Sequence, residues 1–184
     1  MAGRLGKNDP AFRTKWRIAV KLAGQAAAAG VVFRAMVADC AYGDLDDFRG
    51  ELRRAGMGWV VAVRPKRGTW AYGPDAHIPR DAAGRLRWRG PEEPGDWQPV
   101  QRRFRDRHTE TWWTAEASLG FRGPDGLTRL VIVTTDPVTL PDKATWYLAT
   151  SLPRPGGPHD CACGGDRAHP SRWPPPSWPS RSPG

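Results

Sequence analysis

The residue best placed for chemistry is Asp39, in the stretch AMVADCAYGD at residues 35–44. A run of apolar residues stops at this aspartate and is followed by Tyr42, Gly43 and an amphipathic segment. A buried strand that ends in a carboxylate, with a turn and a helix after it, presents that carboxylate at the edge of a sheet in α/β proteins. Asp39 is therefore a candidate functional residue. The alternative is a carboxylate that accepts hydrogen bonds from the turn and caps the next helix, as Asp44 and Asp46 could also do.

A second group of residues, in the stretch QRRFRDRHTETWW, combines positive charge with aromatic surface. Arginine attracts phosphate and tryptophan can stack on a base, so DNA contact is one interpretation. The other is a solvated strand edge that is protected by charge and has its tryptophans in the core. Adjacent residues of a strand face opposite sides, so at most one tryptophan can stack on a base. The residues are Arg102, Arg103, Arg105 and Arg107, followed by Trp112 and Trp113.

The cysteines and histidines give weaker signals. His159, Cys161, Cys163 and His169 lie in a Pro-rich tail, and their C-x-C spacing differs from the usual C-x₂-C of zinc sites, so no zinc site is predicted. Cys40 is interpreted as a small buried residue. His77 and His108 are interpreted as isolated surface residues.

The composition favours one intracellular domain with a strongly positive surface. The 184 residues carry a formal net charge of +9, mostly from arginine, and such a surface attracts phosphate. A GC-rich coding sequence would also enrich arginine, so charge alone does not decide the partner. No apolar run is long enough for a membrane span, and the N-terminus lacks the apolar region of a signal peptide. We expect a cytoplasmic protein.

The order of elements predicts an α/β fold. Helical spacing of apolar residues predicts a helix over residues 10–29, and the β-branched run that follows predicts a strand over 31–39, covered on both faces. Asp44 is expected to cap a second helix that ends at Gly56, before a strand over 59–63. Helix, strand, helix and strand with short links imply a parallel pair joined by a right-handed crossover.

The second half is predicted to be mainly β. Residues 66–98 show no sustained period and indicate an insertion or loop. Strands are predicted over 111–119, 129–136 and 145–152, with a turn at 123–126. Beyond residue 152 the Pro-rich composition predicts disorder and suggests a reading-frame change.

Taken in order, the motifs VVFRAMVADCAYGD, GMGWVVAVRP, TWW, RLVIVTTDP and TWYLATSLP resemble a DDE-type insertion-sequence transposase, a bacterial family with an RNase H-like catalytic core. The resemblance covers roughly residues 10–153, with 66–98 poorly matched. It implies an α/β fold consisting of a partial RNase H-like core with a β-rich insertion and a disordered C-terminal tail. The expected units are a partial core over 1–65, an insertion over 66–127, core strands over 128–152 and the tail over 153–184.

The resemblance also implies a role for Asp39. In the family the matching aspartate is the second of three carboxylates that bind Mg²⁺ or Mn²⁺, and two such ions assist cutting and joining of DNA. The strand of the first aspartate and the helix of the third carboxylate are not found here, so we expect a truncated, inactive fragment. DNA is the expected partner, through the four arginines and Trp112, and oligomers are possible in the full-length family. The alternatives are a noncatalytic DNA-binding protein of the same fold and a pseudogene product.

Overall fold

The computed structural model describes residues 13–68, 78–120 and 127–154. The predicted start of the first helix, the turn at 123–126, His77 and the tail from residue 155 onwards, with its cysteines and histidines, lie outside these residues. The helices are α1 Lys15–Ala28, α2 Cys40–Gly43, α3 Asp46–Arg54 and α4 Pro79–Gly84. The strands are β1 Met36–Ala38, β2 Trp59–Ala62, β3 Gln98–Arg103, β4 Thr109–Gly120, β5 Leu127–Thr134 and β6 Thr145–Thr150.

The strands of the described residues form one six-stranded sheet in the order β1-β2-β6-β5-β4-β3. β1 and β2 pair in parallel, with Val37 opposite Val60, and the remaining pairs are antiparallel. The predicted parallel pair is therefore confirmed, as is a mixed α/β fold. The division into four units stays a prediction.

One face of the sheet carries the main core. Register places Val61 beside Ala149, Ala149 beside Leu130, and Leu130 beside Ala117, so these side chains form a row across four strands. Alternation along each strand puts the core residues on that face. Helices α3 and α4 contribute their apolar side chains to the same cluster: Phe48, Leu52, Ala82 and Ala83.

The strand predicted over residues 31–39 is shorter than expected. Only Met36–Ala38 pairs with β2, and Val32 is 97% exposed. Val37 is also exposed. Within the described residues β1 is the edge of the sheet, and all three valines of the predicted strand, Val31, Val32 and Val37, are exposed, so the expected cover on both faces is not found.

The start of α3 differs from the expectation, whereas the ends of α1 and α3 agree with it. Within the described residues α1 begins at Lys15 after an extended Thr14, and α3 begins at Asp46 with Leu45 in the capping position. Gly30 and Gly56 have φ values of +85° and +66°, the left-handed conformation that commonly ends a helix. The expected stops are therefore confirmed.

Candidate functional site

Asp39 follows β1 directly and occupies the capping position of the short helix α2. Its backbone is extended, its side chain is exposed, and Oδ1 accepts a hydrogen bond from the Ala41 amide at 3.0 Å. The structure thus has Asp39 at the carboxyl end of the strand, where it was predicted, together with the capping bond of the alternative interpretation. Capping engages one carboxylate oxygen, and a carboxylate has two acceptor atoms. The two interpretations are therefore compatible, and metal binding by Asp39 stays a prediction.

The position of α2 is fixed by its close approach to β2. Tyr42 and Gly43, predicted as a turn, belong to this helix, and Gly43 is buried. A Cβ atom at Gly43 would overlap the carbonyl oxygen of Ala62 and lie 3.0 Å from the Val61 Cβ. Only glycine leaves room for this contact between α2 and β2, which holds the short helix that follows Asp39 against the sheet.

A buried arginine that the sequence analysis missed also holds α2. Arg49 in α3 is 0% exposed, donates from NH1 to the Gly43 carbonyl, and contacts Asp46 Oδ1 from NH2 at 2.5 Å. Burial lowers the pKa of Arg49, although the hydrogen bond to Asp46 opposes that shift. The available signal was its spacing, because the buried Leu52 lies three residues after it on the apolar side of α3.

Asp44 does not cap α3, contrary to expectation. Its side chain is 14% exposed, accepts from the Arg64 amide at 3.2 Å and lies 3.2 Å from the Arg64 Nε. Arg67 reaches Asp46 Oδ1 at 3.1 Å and Asp44 Oδ1 at 4.0 Å. The physical reason is position: Asp44 is the residue that ends α2, with a helical backbone, so the extended capping position of α3 falls on Leu45.

These ion pairs decide whether the described residues suit a divalent metal. In the ranges 13–68, 78–120 and 127–154 there is no group of three or more His, Cys, Asp or Glu side chains that could hold a metal ion. The acidic side chains of Asp44 and Asp46 are already paired with arginines. In the part of the chain that the structure describes, Asp39 is therefore a single carboxylate, and this donor set does not fit the pair of divalent ions that the family resemblance implies.

The second candidate site is the hairpin of β3 and β4, where a guanidinium group is held between two rings. The Arg102 Cζ lies 4.4 Å from the centroid of the Phe104 ring and 4.6 Å from that of Trp112. Glu110, opposite Arg102 in the register, accepts from the Trp112 Nε1 at 3.0 Å. Trp112 is 6% exposed. The ring therefore contacts Arg102 rather than solvent.

The two tryptophans face opposite sides of the sheet, as predicted. Trp113 packs against the main core and meets Trp88 edge to face, with ring centroids 4.6 Å apart. Trp112 lies on the other face with Arg102. Of the two, Trp112 is thus the one associated with the basic residues.

The tip of the hairpin contains a hydrogen-bonded histidine. The His108 ring stacks on the Phe104 ring, with centroids 4.3 Å apart. Its Nδ1 lies 2.5 Å from the Asp106 Oδ1, and its Nε2 lies 3.3 Å from the Glu110 Oε1. The hydrogen bond to Asp106 raises the pKa of His108. The interpretation of His108 as an isolated residue was wrong, because the turn brings the two acidic neighbours to its ring. Arg103, Arg105 and Arg107 are exposed around it.

The two candidate sites lie at opposite edges of the sheet. Asp39 follows β1 at one edge, and β3 forms the other. Neighbouring strands are about 4.8 Å apart, so the edges are separated by roughly 24 Å. The structure therefore brings Arg102, Phe104 and Trp112 together but leaves Asp39 away from them.

Comparison with known proteins identifies the family. Residues 2–124 match the family of DDE superfamily endonucleases. This chain belongs to that family. It is also 30% identical over 143 residues to the probable transposase for insertion sequence element IS701 of Microchaete diplosiphon. The resemblance to DDE-type insertion-sequence transposases is therefore confirmed.

The match with this curated relative covers 77% of the chain and 33% of the relative, so the chain spans about a third of that protein's length. The matched family segment runs from upstream of α1 through β4 and includes both Asp39 and the basic hairpin. Among the residues described, no helix has the length and apolar character needed to cross a membrane.

Proposed function

We propose that this chain provides part of a DDE transposase, in which it binds DNA and contributes Asp39 as one ligand of a divalent-metal site. The observation that carries the proposal is the position of Asp39, directly after β1 at the carboxyl end of a parallel strand pair, within the segment that matches the family. A carboxylate in such a place is held by the sheet and not by a mobile loop.

The metal-binding part of the proposal can be tested without activity. Asn caps helices about as well as Asp, so Asp39→Asn keeps the α2 cap and removes the charge. Addition of Mn²⁺ is expected to broaden the NMR signals of residues 37–43 in the native chain and to leave them sharp in the variant. Equal broadening in both proteins would show that Asp39 is not a ligand.

We further propose that the chain alone does not cut DNA. Two divalent ions need several carboxylates, and in the described part of the chain the neighbours Asp44 and Asp46 are paired with arginines. The arrangement therefore favours the noncatalytic, DNA-binding function for this chain by itself. Supercoiled plasmid incubated with the chain and Mg²⁺ or Mn²⁺ is expected to stay supercoiled, without nicked or linear product. Nicking that disappears in Asp39→Asn would refute this proposal.

The hairpin of β3 and β4 is the proposed DNA contact, for which the arrangement of its charges gives two reasons. Arg103, Arg105 and Arg107 are exposed at one end of the sheet, where the phosphate backbone can reach them. Arg102 is held by two rings, so little side-chain freedom remains to be lost when it binds. Trp112 contributes to DNA binding through Arg102, because its ring face is covered by the guanidinium group.

The hairpin variant, with Arg103, Arg105 and Arg107 all replaced by Gln, tests this proposal. The matched control replaces Lys66, Arg89 and Lys143 by Gln; these residues are exposed and lie outside the hairpin. Both variants therefore change the formal net charge from +9 to +6. The slope of log K against log salt is negative, and each lost phosphate contact reduces its magnitude by about 0.9. We expect the magnitude of this slope to fall by about 2–3 in the hairpin variant and to stay close to the native value in the matched control. Equal slopes in the two variants would contradict the assignment.

A further inference from the structure

A second basic surface lies on α1, at a distance from the hairpin along the chain. No Asp or Glu occurs between Asp9 and Asp39, whereas this stretch contains Arg13, Lys15, Arg17, Lys21 and Arg34. Arg13, Lys15, Arg17 and Lys21 are exposed and lie in or just before the first half of α1. We define these four residues as the α1 basic face.

The α1 basic face borders a depression between α1 and α3. The depression has a volume of about 340 Å³, and Arg13, Arg17 and Lys21 line it together with Glu51 of α3. Glu51 forms an ion pair with Arg54 at 2.7 Å. Among the described residues the polar lining is therefore dominated by positive charge, and Glu51, the one carboxylate that they contribute, is already paired.

The position of these charges does not stabilise the helix. Positive side chains are unfavourable near a helix N-terminus, where the helix dipole is positive. The first turn of α1 contains no acidic residue, Thr14 makes no capping hydrogen bond with its side chain, and the last turn contains no basic residue. α3 has the opposite, stabilising pattern, with Asp46 and Asp47 in its first turn and two arginines in its last. An anionic partner would relieve the repulsion on α1.

We propose that the α1 basic face binds the phosphate backbone of duplex DNA, as a second contact separate from the hairpin. Residues 13–21 extend over about 12 Å if measured at the helical rise, which corresponds to roughly three or four phosphates of one DNA strand. α1 precedes β1 and packs on α3, whereas the hairpin forms the β3 edge of the sheet. The inference rests on the proposed function only in that DNA is the partner.

The test measures binding of a fluorescent, random-sequence duplex at several salt concentrations. The α1 variant replaces Arg13, Arg17 and Lys21 by Gln and is compared with the native chain, the hairpin variant and the matched control, all three variants having a formal net charge of +6 in place of +9. We expect the affinity of the α1 variant at about 0.1 M salt to be lower than that of the native chain by a factor of roughly ten or more. The magnitude of its salt slope should be smaller by about 2–3. The matched control should keep a slope close to that of the native chain.

Thermal unfolding separates lost binding from lost folding. Removal of positive charge from the start of α1 should leave the melting temperature unchanged or raise it. Arg17 lies over the Trp16 ring, 5.1 Å from its centroid, so a second variant with Lys15→Gln and Lys21→Gln leaves this contact intact. The magnitude of the salt slope measured for that variant is expected to be smaller by about 1–2 than for the native chain. If it binds DNA like the native chain, the proposal is wrong whatever the stability of the triple variant.

The remaining outcomes distinguish this inference from the proposed function. If the hairpin variant loses affinity and the α1 variant equals the matched control, the α1 contact is refuted and the hairpin contact stands. If the native chain binds no duplex even at low salt, both proposals fail. If the α1 variant loses binding to phosphatidylserine vesicles but keeps its DNA affinity, the face binds membranes and the proposal is overturned.

Discussion

Gly43→Ala is expected to destabilise the chain strongly, because the added methyl group has no space. The new Cβ would overlap the Ala62 carbonyl oxygen and lie 3.0 Å from both the Ala62 carbonyl carbon and the Val61 Cβ. Two of these three atoms belong to the backbone of β2, which pairs on both sides with other strands. The strand cannot move without breaking those pairs, so α2 has to move away.

The size of the effect follows from the contacts. Overpacking of a well-filled core costs about 1–3 kcal/mol, and backbone neighbours place this site at the upper end or beyond. Displacement of α2 also separates the Gly43 carbonyl from the buried Arg49, which adds an unsatisfied polar group. We therefore expect a loss of about 3 kcal/mol or more in the free energy of unfolding, or roughly 6–12 °C in melting temperature.

Gly50→Ala is the matched control, since the same methyl group is added where there is room. Gly50 lies inside α3, and the nearest atom to its new Cβ would be the Arg54 NH2 at 3.8 Å. Alanine in place of glycine in a helix is stabilising by about 0.5–1 kcal/mol. Urea unfolding followed by circular dichroism would measure both variants. A Gly43→Ala chain as stable as the native one would refute the assigned contact between α2 and β2.

Two further predictions concern the buried arginine and the hairpin histidine. Arg49→Ala should lower the free energy of unfolding by about 2–4 kcal/mol in urea, because the Gly43 carbonyl loses its donor while Asp46 is half exposed and can be hydrated. The pKa of His108, followed by NMR, should be above its ordinary value and fall in Asp106→Asn. Because the folded-state pKa is raised, the contribution of His108 to stability is present at low pH and disappears as pH rises through that pKa. A titration unchanged by Asp106→Asn would contradict the hydrogen bond.

The parts of the fold that could be predicted have strong apolar patterns. β2 and β6 are short runs of β-branched and aromatic residues, and α3 has Phe48 and Leu52 at helical spacing. β3 was missed because its residues are exposed or only partly buried, so it shows no apolar alternation. It is held by its pairing with β4, a long-range contact that local sequence does not reveal. α4 was missed because it is only six residues long.

The sequence predicts where the candidate residues lie along the chain but not which side chains they contact. The placement of Asp39 after a strand follows from the pattern of residues around it. The partners of Asp44 do not, because Arg64 lies 20 residues further along the chain and reaches it only through the parallel pair. Likewise, the sequence locates Arg102 near Trp112, but only the register of β3 and β4 places the guanidinium over the ring.

The charges around α2 explain why a divalent ion should bind weakly to this chain. Gly43, at the end of the four-residue helix that Asp39 caps, lies only about 6 Å from Asp39 along the helix axis. Within the described residues, the ion-pair network that follows contains two carboxylates, Asp44 and Asp46, and the three guanidinium groups of Arg49, Arg64 and Arg67. With Asp39 included, positive and negative charges balance before any metal arrives. A pair of divalent ions would add four positive charges to a neutral region, so tight binding requires further carboxylates. A Mn²⁺ titration of the native chain should therefore saturate only at millimolar concentrations, and saturation at micromolar Mn²⁺ that depends on Asp39 would refute this charge balance.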